Sequence, residues 1–227
     1  MKLIPGLEHL PFAEVWFHSV DHEAWREASS KARELGKTGL EVWTTDPTVA
    51  SWFEERGYQE VRRYLITELD VASAPDEAPA IPLTTRAERP DLVRAMYELA
   101  LQAYPDQPGR ADSRISDYDG WRGWSIDPHP AEACFFALDG EKLIGYGFLE
   151  SGDDHWTHGF MAIERARRGR GVAGAIKRAQ IAWARAHGVE RLRTATEARL
   201  ASMRALNERL GYRLLYEEMV LRGPIVR

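Results

Sequence analysis

Residues 133–150, A-C-F-F-A-L-D-G-E-K-L-I-G-Y-G-F-L-E, leave the chain little choice of local structure. Two strand-length apolar runs flank Asp139-Gly140, and a turn dipeptide between such runs closes an antiparallel hairpin. A lone hairpin is marginal in water, so the remaining chain must add strands and cover them. Trp156–Ile163 reads as the next strand. From Val172 a helix extends to His187, with Val172, Ile176, Ala179, Trp183 and Ala186 on one stripe and Gly188 at its end. V-E-R-L-R-T-A-T, from Val189, is again a strand, Arg199–Arg209 a helix, and Tyr212–Leu221 the last strand. A hairpin followed by a strand–helix–strand crossing predicts a mixed α/β sheet with a parallel pair late in the chain.

Upstream, a strand near Ile81–Thr84 precedes a helix from Pro90 to Ala103, with Leu92, Val93, Met96, Leu99 and Ala100 on one face. Helix or loop continues through Trp124. The stretch Val71–Pro82 mixes Pro, Ala and acid without periodicity and reads as a linker. Before it, the order is βαβαβ: a strand over Glu14–Val20, a helix capped by Asp21, a strand from Gly39, a helix over Pro47–Arg56 and a strand ending near Leu69. The expected division is a partial unit over 1–72, a linker over 73–80 and a complete domain over 81–227. The two parts echo each other, because Trp52–Tyr58 aligns without gaps on Leu206–Tyr212.

The formal net charge of −5 argues against nucleic acid as a partner, which usually requires a broad basic face. The single cysteine, Cys134, excludes an internal disulfide and any multi-cysteine metal site, and its apolar setting suits packing. Pro5 and Glu8 interrupt the N-terminal apolar run too early for a signal peptide, and no stretch approaches the ~18 apolar residues of a membrane span. The expectation is a protein of the cytoplasm.

Against that acidic background, Arg165–Ala175 reads R-A-R-R-G-R-G-V-A-G-A at a strand-to-helix junction. A helix N-terminus offers unpaired N–H groups and partial positive charge. Gly169 and Gly171 let a ligand approach the backbone, and Arg168 and Arg170 supply charge-assisted bonds. A pyrophosphate fits such a place. G-x-x-x-x-G-K-[ST] is absent. Gly169, Gly171 and Gly174 spell G-x-G-x-x-G, but too little chain follows for a doubly wound sheet. A solvated basic turn remains open on these residues alone.

Arg168-x-x-Gly171-x-Ala173 resembles the R/Q-x-x-G-x-G/A acyl-CoA loop of the GNAT acyltransferase superfamily. The wider run through Gly188 is similar to the motif-bearing helix of mycothiol-synthase-like tandem members, and M-R-A-L-N-E-R-L-G-Y to the superfamily's last helix and strand. The resemblance covers about residues 80–227. It implies a sheet splayed between the strand ending at Ile163 and the strand Val189–Thr196, with acyl-CoA in the splay. Met161, Ala162 and Ile163 would bond the pantetheine arm, and Arg168, Gly169, Arg170, Gly171, Val172, Ala173 and Gly174 would hold the pyrophosphate. Asn207 would lie near the thiol. The N-terminal part resembles only the rear half of this fold, without a glycine loop and with Phe53 where the second half has Asn207.

Transfer to an amine requires a base, an oxyanion donor and an acid for the thiolate. The resemblance puts His158 where many members carry a Glu base, and Glu197 is a second candidate. Asn207 stands where the family often has a Tyr acid. His155 and His158, three apart on a strand, face opposite ways and make a poor metal pair. Tyr104, Tyr118, Trp121 and Trp124, with Asp117, Asp119, Asp153 and Asp154, fall on the family's acceptor side and suit a cationic amine, while an aromatic core with a hydrated rim explains the same residues equally well. The implied activity is direct, acyl-CoA-dependent (in the first instance acetyl-CoA-dependent) N-acylation of a small-molecule or peptide amine. It uses no metal, nucleic acid or membrane, and a homodimer is left open. The alternative is a noncatalytic acyl-CoA-binding regulator.

Overall fold

A computed structural model of the protein describes residues 3–4, 10–107, 115–152 and 155–226. Its strands in chain order are β1 (Leu3–Ile4), β2 (Phe12–Trp16), β3 (Gly39–Thr44), β4 (Gln59–Asp70), β5 (Leu83–Thr85), β6 (Cys134–Asp139), β7 (Lys142–Ser151), β8 (Trp156–Ile163), β9 (Arg191–Glu197) and β10 (Arg213–Pro224). The helices are α1 (His22–Glu34), α2 (Pro47–Glu54), α3 (Val93–Ala103), α4 (Tyr118–Ser125), α5 (Val172–Ala186) and α6 (Ala201–Arg209). The chain forms two compact units, Met1–Ile66 with Leu215–Arg227, and Thr67–Leu214.

In the first unit, local signals set both helices. Asp21 caps α1 by accepting from Ala24 N at 2.8 Å, and Asp46 caps α2 through Thr48 N at 2.7 Å. Both helices cover one face of a sheet ordered β1-β2-β3-β10-β4, where Ala28, Ala32, Val49 and Phe53 pack on Val15, Leu40, Val42 and Leu221. β2 and β3 are parallel and paired from Phe12↔Gly39 to Trp16↔Trp43, the whole length of β2.

Sequence placed residues 81–227 in one domain, but Leu215–Arg227 groups with the first unit. The second part of β10 lies antiparallel to β3 from Met219↔Thr44 to Pro224↔Gly39. Backbone groups of a buried strand must find partners, and β3 supplies them.

The second unit has the order β4-β9-β8-β7-β6-β5. β6 and β7 form the expected hairpin, closing at Asp139↔Lys142. α3 and α4 cover one face, where Met96, Leu99, Trp121 and Phe136 meet. α5 covers the other, with Ile176 on Ala137, the next residue along β6. Residues 74–82 carry no helix or strand, yet they are not loose. Arg185 donates to Ala74 O at 2.9 Å and to Asp76 at 3.0 Å, and Arg178 to Glu77 at 2.8 Å, tying the stretch along α5.

Candidate functional site: a splayed strand pair beneath a glycine loop

β8 and β9 pair as Trp156↔Leu192 and Thr157↔Arg193, and there the ladder stops. Both strands continue, to Ile163 and Glu197. On the other edge of β8, Gly147 faces Met161 and Leu149 faces His158, so three steps on β8 answer two on β7. One extra residue is a bulge, which bends a strand and increases its local twist. Past Thr157 the β9-facing edge of β8, including Met161, Ala162 and Ile163, therefore has no ladder partner among the described residues. This is the splay that the resemblance implied.

At the far end of β8 the chain makes a short turn, Arg165–Arg167, and enters α5 through Gly171. Gly169 and Gly171 have φ of +73° and +84°, and a Cβ on either would meet nothing within 4 Å. The glycines answer a backbone requirement, since any other residue there costs about 1–2 kcal/mol. Gly171 brings no side-chain cap, and the first intrahelical bond is Ala175 N to Gly171 O at 3.0 Å. The N–H groups of Val172, Ala173 and Gly174 are thus left without intrahelical acceptors.

The four arginines separate by partner. Arg168 Nε donates to Ile163 O at 3.1 Å, while its Nη2 lies 2.7 Å from Asp106. Arg165 grips the same carboxylate at 2.9 and 2.6 Å. Bonds from Arg165, then Arg168, hold the Asp106 carboxyl down at about 2. Arg167 pairs with Asp139. Arg170 makes no ion pair or hydrogen bond among the described residues.

At the vertex of the splay sits a buried polar cluster. His158 Nδ1 donates to Gln180 Oε1 at 2.8 Å, and its Nε2 accepts from the Tyr212 hydroxyl. Burial, and then the charge of Lys177, hold the imidazole well below its usual range, so it is neutral. Burial likewise pushes the Tyr212 phenol up and the Lys177 ammonium down to about 7. Asn207 Nδ2 donates to Thr196 at 2.9 Å. Two buried atoms here, Gln180 Nε2 and Asn207 Oδ1, have no hydrogen-bond partner among the described residues. Orphaned buried groups require an explanation, and a ligand with amides is one.

Sequence-selected residues therefore fall at three places in one unit. Arg168–Gly174 form the loop, Met161–Ile163 line the splay, and His158 and Asn207 stand in the polar cluster. The buried carboxylate of Glu197 accepts from Arg199 N at 2.9 Å and Arg199 Nε at 2.6 Å. Neither ring nitrogen of His158 is available to a substrate directly. Lys177, Gln180, Thr194 and Asp106 were not singled out in sequence. Lys177 and Gln180 lie off the apolar stripe of α5, where polar residues suggest a solvated face. The small residues around that helix (Ala173, Gly174, Ala175, Ala179) were the available signal that it is packed on more than one side.

On the α3–α4 face, Tyr97, Tyr118 and Trp121 cluster with ring centroids 5.1 to 6.3 Å apart, and the Arg94 guanidinium lies 4.7 Å over Tyr118. Tyr104 meets Phe160 edge-on at 5.8 Å, and Trp124 is 85% exposed. Asp117 caps α4 through Gly120 N at 2.9 Å. Asp119 lies in the first turn of α4. Asp153 and Asp154 lie outside the described residues. His155 is 3.5 Å from Arg193 whereas His158 faces α5, so the two histidines do part. Burial raises the Cys134 thiol to about 12. Among the described residues no group of three metal-ligating side chains is gathered, and no helix is long and apolar enough to cross a membrane.

Residues 93–212 match the profile of the Acetyltransferase (GNAT) family. Among solved structures, a GCN5-related N-acetyltransferase from Sphaerobacter thermophilus superposes with a TM-score of 0.75 at 19% identity, covering 99% of this chain and 76% of that one. A tandem GNAT protein from the clavulanic acid biosynthesis pathway gives 0.69 at 18%, over 96% and 77%. A GCN5-related N-acetyltransferase from Kribbella flavida gives 0.60 at 16%, over 96% and 84%. No curated protein matches.

Proposed function

This chain belongs to the GNAT acetyltransferase family, and from that premise we propose that it moves an acyl group, acetyl in the first instance, from acyl-CoA directly to a primary amine. The splay beneath the glycine loop carries the proposal. The pyrophosphate would lie on the amides of Val172, Ala173 and Gly174, with Arg168 and Arg170 over it. The pantetheine arm would follow Met161, Ala162 and Ile163, and its amides would meet Gln180 Nε2 and Asn207 Oδ1. His158 holds the Tyr212 hydroxyl and reaches substrate only through it. Glu197 serves as a base only once Arg199 releases it. The acceptor, a small-molecule or peptide amine, would enter past the α3–α4 aromatics.

The first unit is proposed as a structural half that binds no acyl-CoA. β2 and β3 stay paired along all of β2, and Phe53, fully buried, fills the place that Asn207 holds on α6.

Acetyl-CoA titration tests the site. Arg168→Ala with Gly171→Glu removes a charge-assisted bond and puts a carboxylate at the helix N-terminus, and it should weaken binding at least about a hundredfold. A wild-type protein that binds no acetyl-CoA would sink the proposal. Release of free thiol with a panel of amines then separates an enzyme from a noncatalytic acyl-CoA-binding regulator. The engagement of both His158 nitrogens and of Glu197 favours that second reading.

Asp106 gives an opposite expectation. Its carboxylate occupies Arg165 and Arg168, so Asp106→Asn should tighten acetyl-CoA severalfold at low salt, with the gain shrinking as salt rises. Weaker binding would mean that Asp106 orients Arg168 instead of competing with the ligand.

A further inference from the structure

Lys177 is a buried amine without a counter-ion. It is 2% exposed, and its nearest acceptor is Thr194 Oγ1, at a long 3.5 Å. The Tyr212 ring lies 5.2 Å away. Among the described residues no carboxylate pairs with it. The polar side chains gathered around it are neutral: Thr194 from β9, Tyr212 at the entry to β10, and His158 from β8 and Gln180 from α5 itself, which bond to one another. An unpaired ammonium is a poor core residue, and a methionine would fill the same space at lower cost.

Its place suggests what the charge faces. Thr194 and His158 are the first residues beyond the last β8–β9 pair, Thr157↔Arg193. Lys177 therefore stands at the closed end of the splay, about 16 Å down β8 from Ile163 by strand rise. An arm anchored at the glycine loop and extended along β8 ends at this depth. We propose that Lys177 is the catalytic cation that receives the leaving thiolate of CoA at the vertex of the splay. This rests on the acyl-transfer function proposed above.

The chemistry balances. The amine nitrogen bonds to the thioester carbonyl carbon, and collapse of the tetrahedral oxyanion breaks the C–S bond and leaves its electron pair on sulfur. The ammonium of Lys177 neutralises that thiolate and gives it a proton. The proton shed by the new amide nitrogen returns through solvent to Lys177, so none is gained or lost overall. Asn207 could not do this, because an amide has no proton to transfer at such pH.

The test needs no acceptor substrate. Free CoA bound to the wild-type protein is titrated, and the thiolate is followed by its ultraviolet absorbance with the acetyl-CoA complex as blank. The bound thiol should ionise at least about one pH unit below CoA in solution, and in Lys177→Met that displacement should vanish. A bound thiol that titrates as it does in solution overturns the proposal from the wild type alone, whether or not the variant folds. If the wild type binds neither CoA nor acetyl-CoA, the acyl-transfer proposal falls with it.

Discussion

Lys177→Met should make the protein more stable at pH 7, by on the order of 4 kcal/mol, and the advantage should fall to about half by pH 9. The ordinary lysine value of 10.5 is pushed down to about 7 by burial alone. Between those values the unfolded chain holds a proton on Lys177 that the folded chain has lost. Stability of the natural protein therefore rises with pH across that window and is lost as pH falls toward 7. Below 7 both states are protonated and the penalty is constant. The variant lacks this slope. Urea midpoints of the two proteins at pH 7, 8 and 9 measure it, and other titrating groups cancel in the difference. Parallel profiles would mean that the folded chain holds the Lys177 proton as tightly as the unfolded chain does, so that burial has not displaced it. Such a cost at the vertex of the splay is what a cation retained for chemistry entails.

Glu41→Ala should destabilise the first unit by about 3–5 kcal/mol. Glu41 is 4% exposed and accepts from Arg62 at 2.5 Å, from Arg222 Nε at 2.7 Å and from Trp43 Nε1 at 3.2 Å. Removing it takes the shared carboxylate from two guanidiniums, one of them, Arg62, itself buried. Glu41→Gln keeps an acceptor and loses the charge, so its effect should be smaller. Denaturant unfolding of the three proteins, followed by tryptophan fluorescence, to which Trp16 and Trp43 contribute among eight tryptophans, reads the difference. The two rings stack 5.5 Å apart and report on this sheet. A loss below about 1 kcal/mol for Glu41→Ala would place this carboxylate among the weak surface pairs.

Much of the second unit's order was legible because its signals are local. The Asp139-Gly140 turn, the glycines at 169 and 171 and the stripe of α5 each act within a few residues. The cap of α1 at Asp21 was legible for the same reason. The β8 bulge was not, because a bulge exists only relative to the register of its neighbour. Nor was the Asp106 pairing with Arg165 and Arg168, which joins positions about 60 residues apart and depends on where α3 ends. The placement of β10 between β3 and β4 spans most of the chain and follows from strand edges finding partners.

The family expectation for His158 shows the same boundary. Its position along β8 was readable, but its availability was not. Gln180 and Tyr212, 22 and 54 residues away, take both ring nitrogens.

By itself the sequence determined most of the strands and helices, though not β1 or α4, where the glycine loop falls and which family carries such a loop. These follow from backbone conformation and short-range periodicity. Only the tertiary structure decided which polar side chains are inside. Lys177 and Gln180 are ordinary surface residues by pattern, yet His158, Thr194 and Tyr212 close around them. Burial, and with it the loss of solvation that makes Lys177 a candidate for chemistry, belongs to the neighbours a residue acquires on folding.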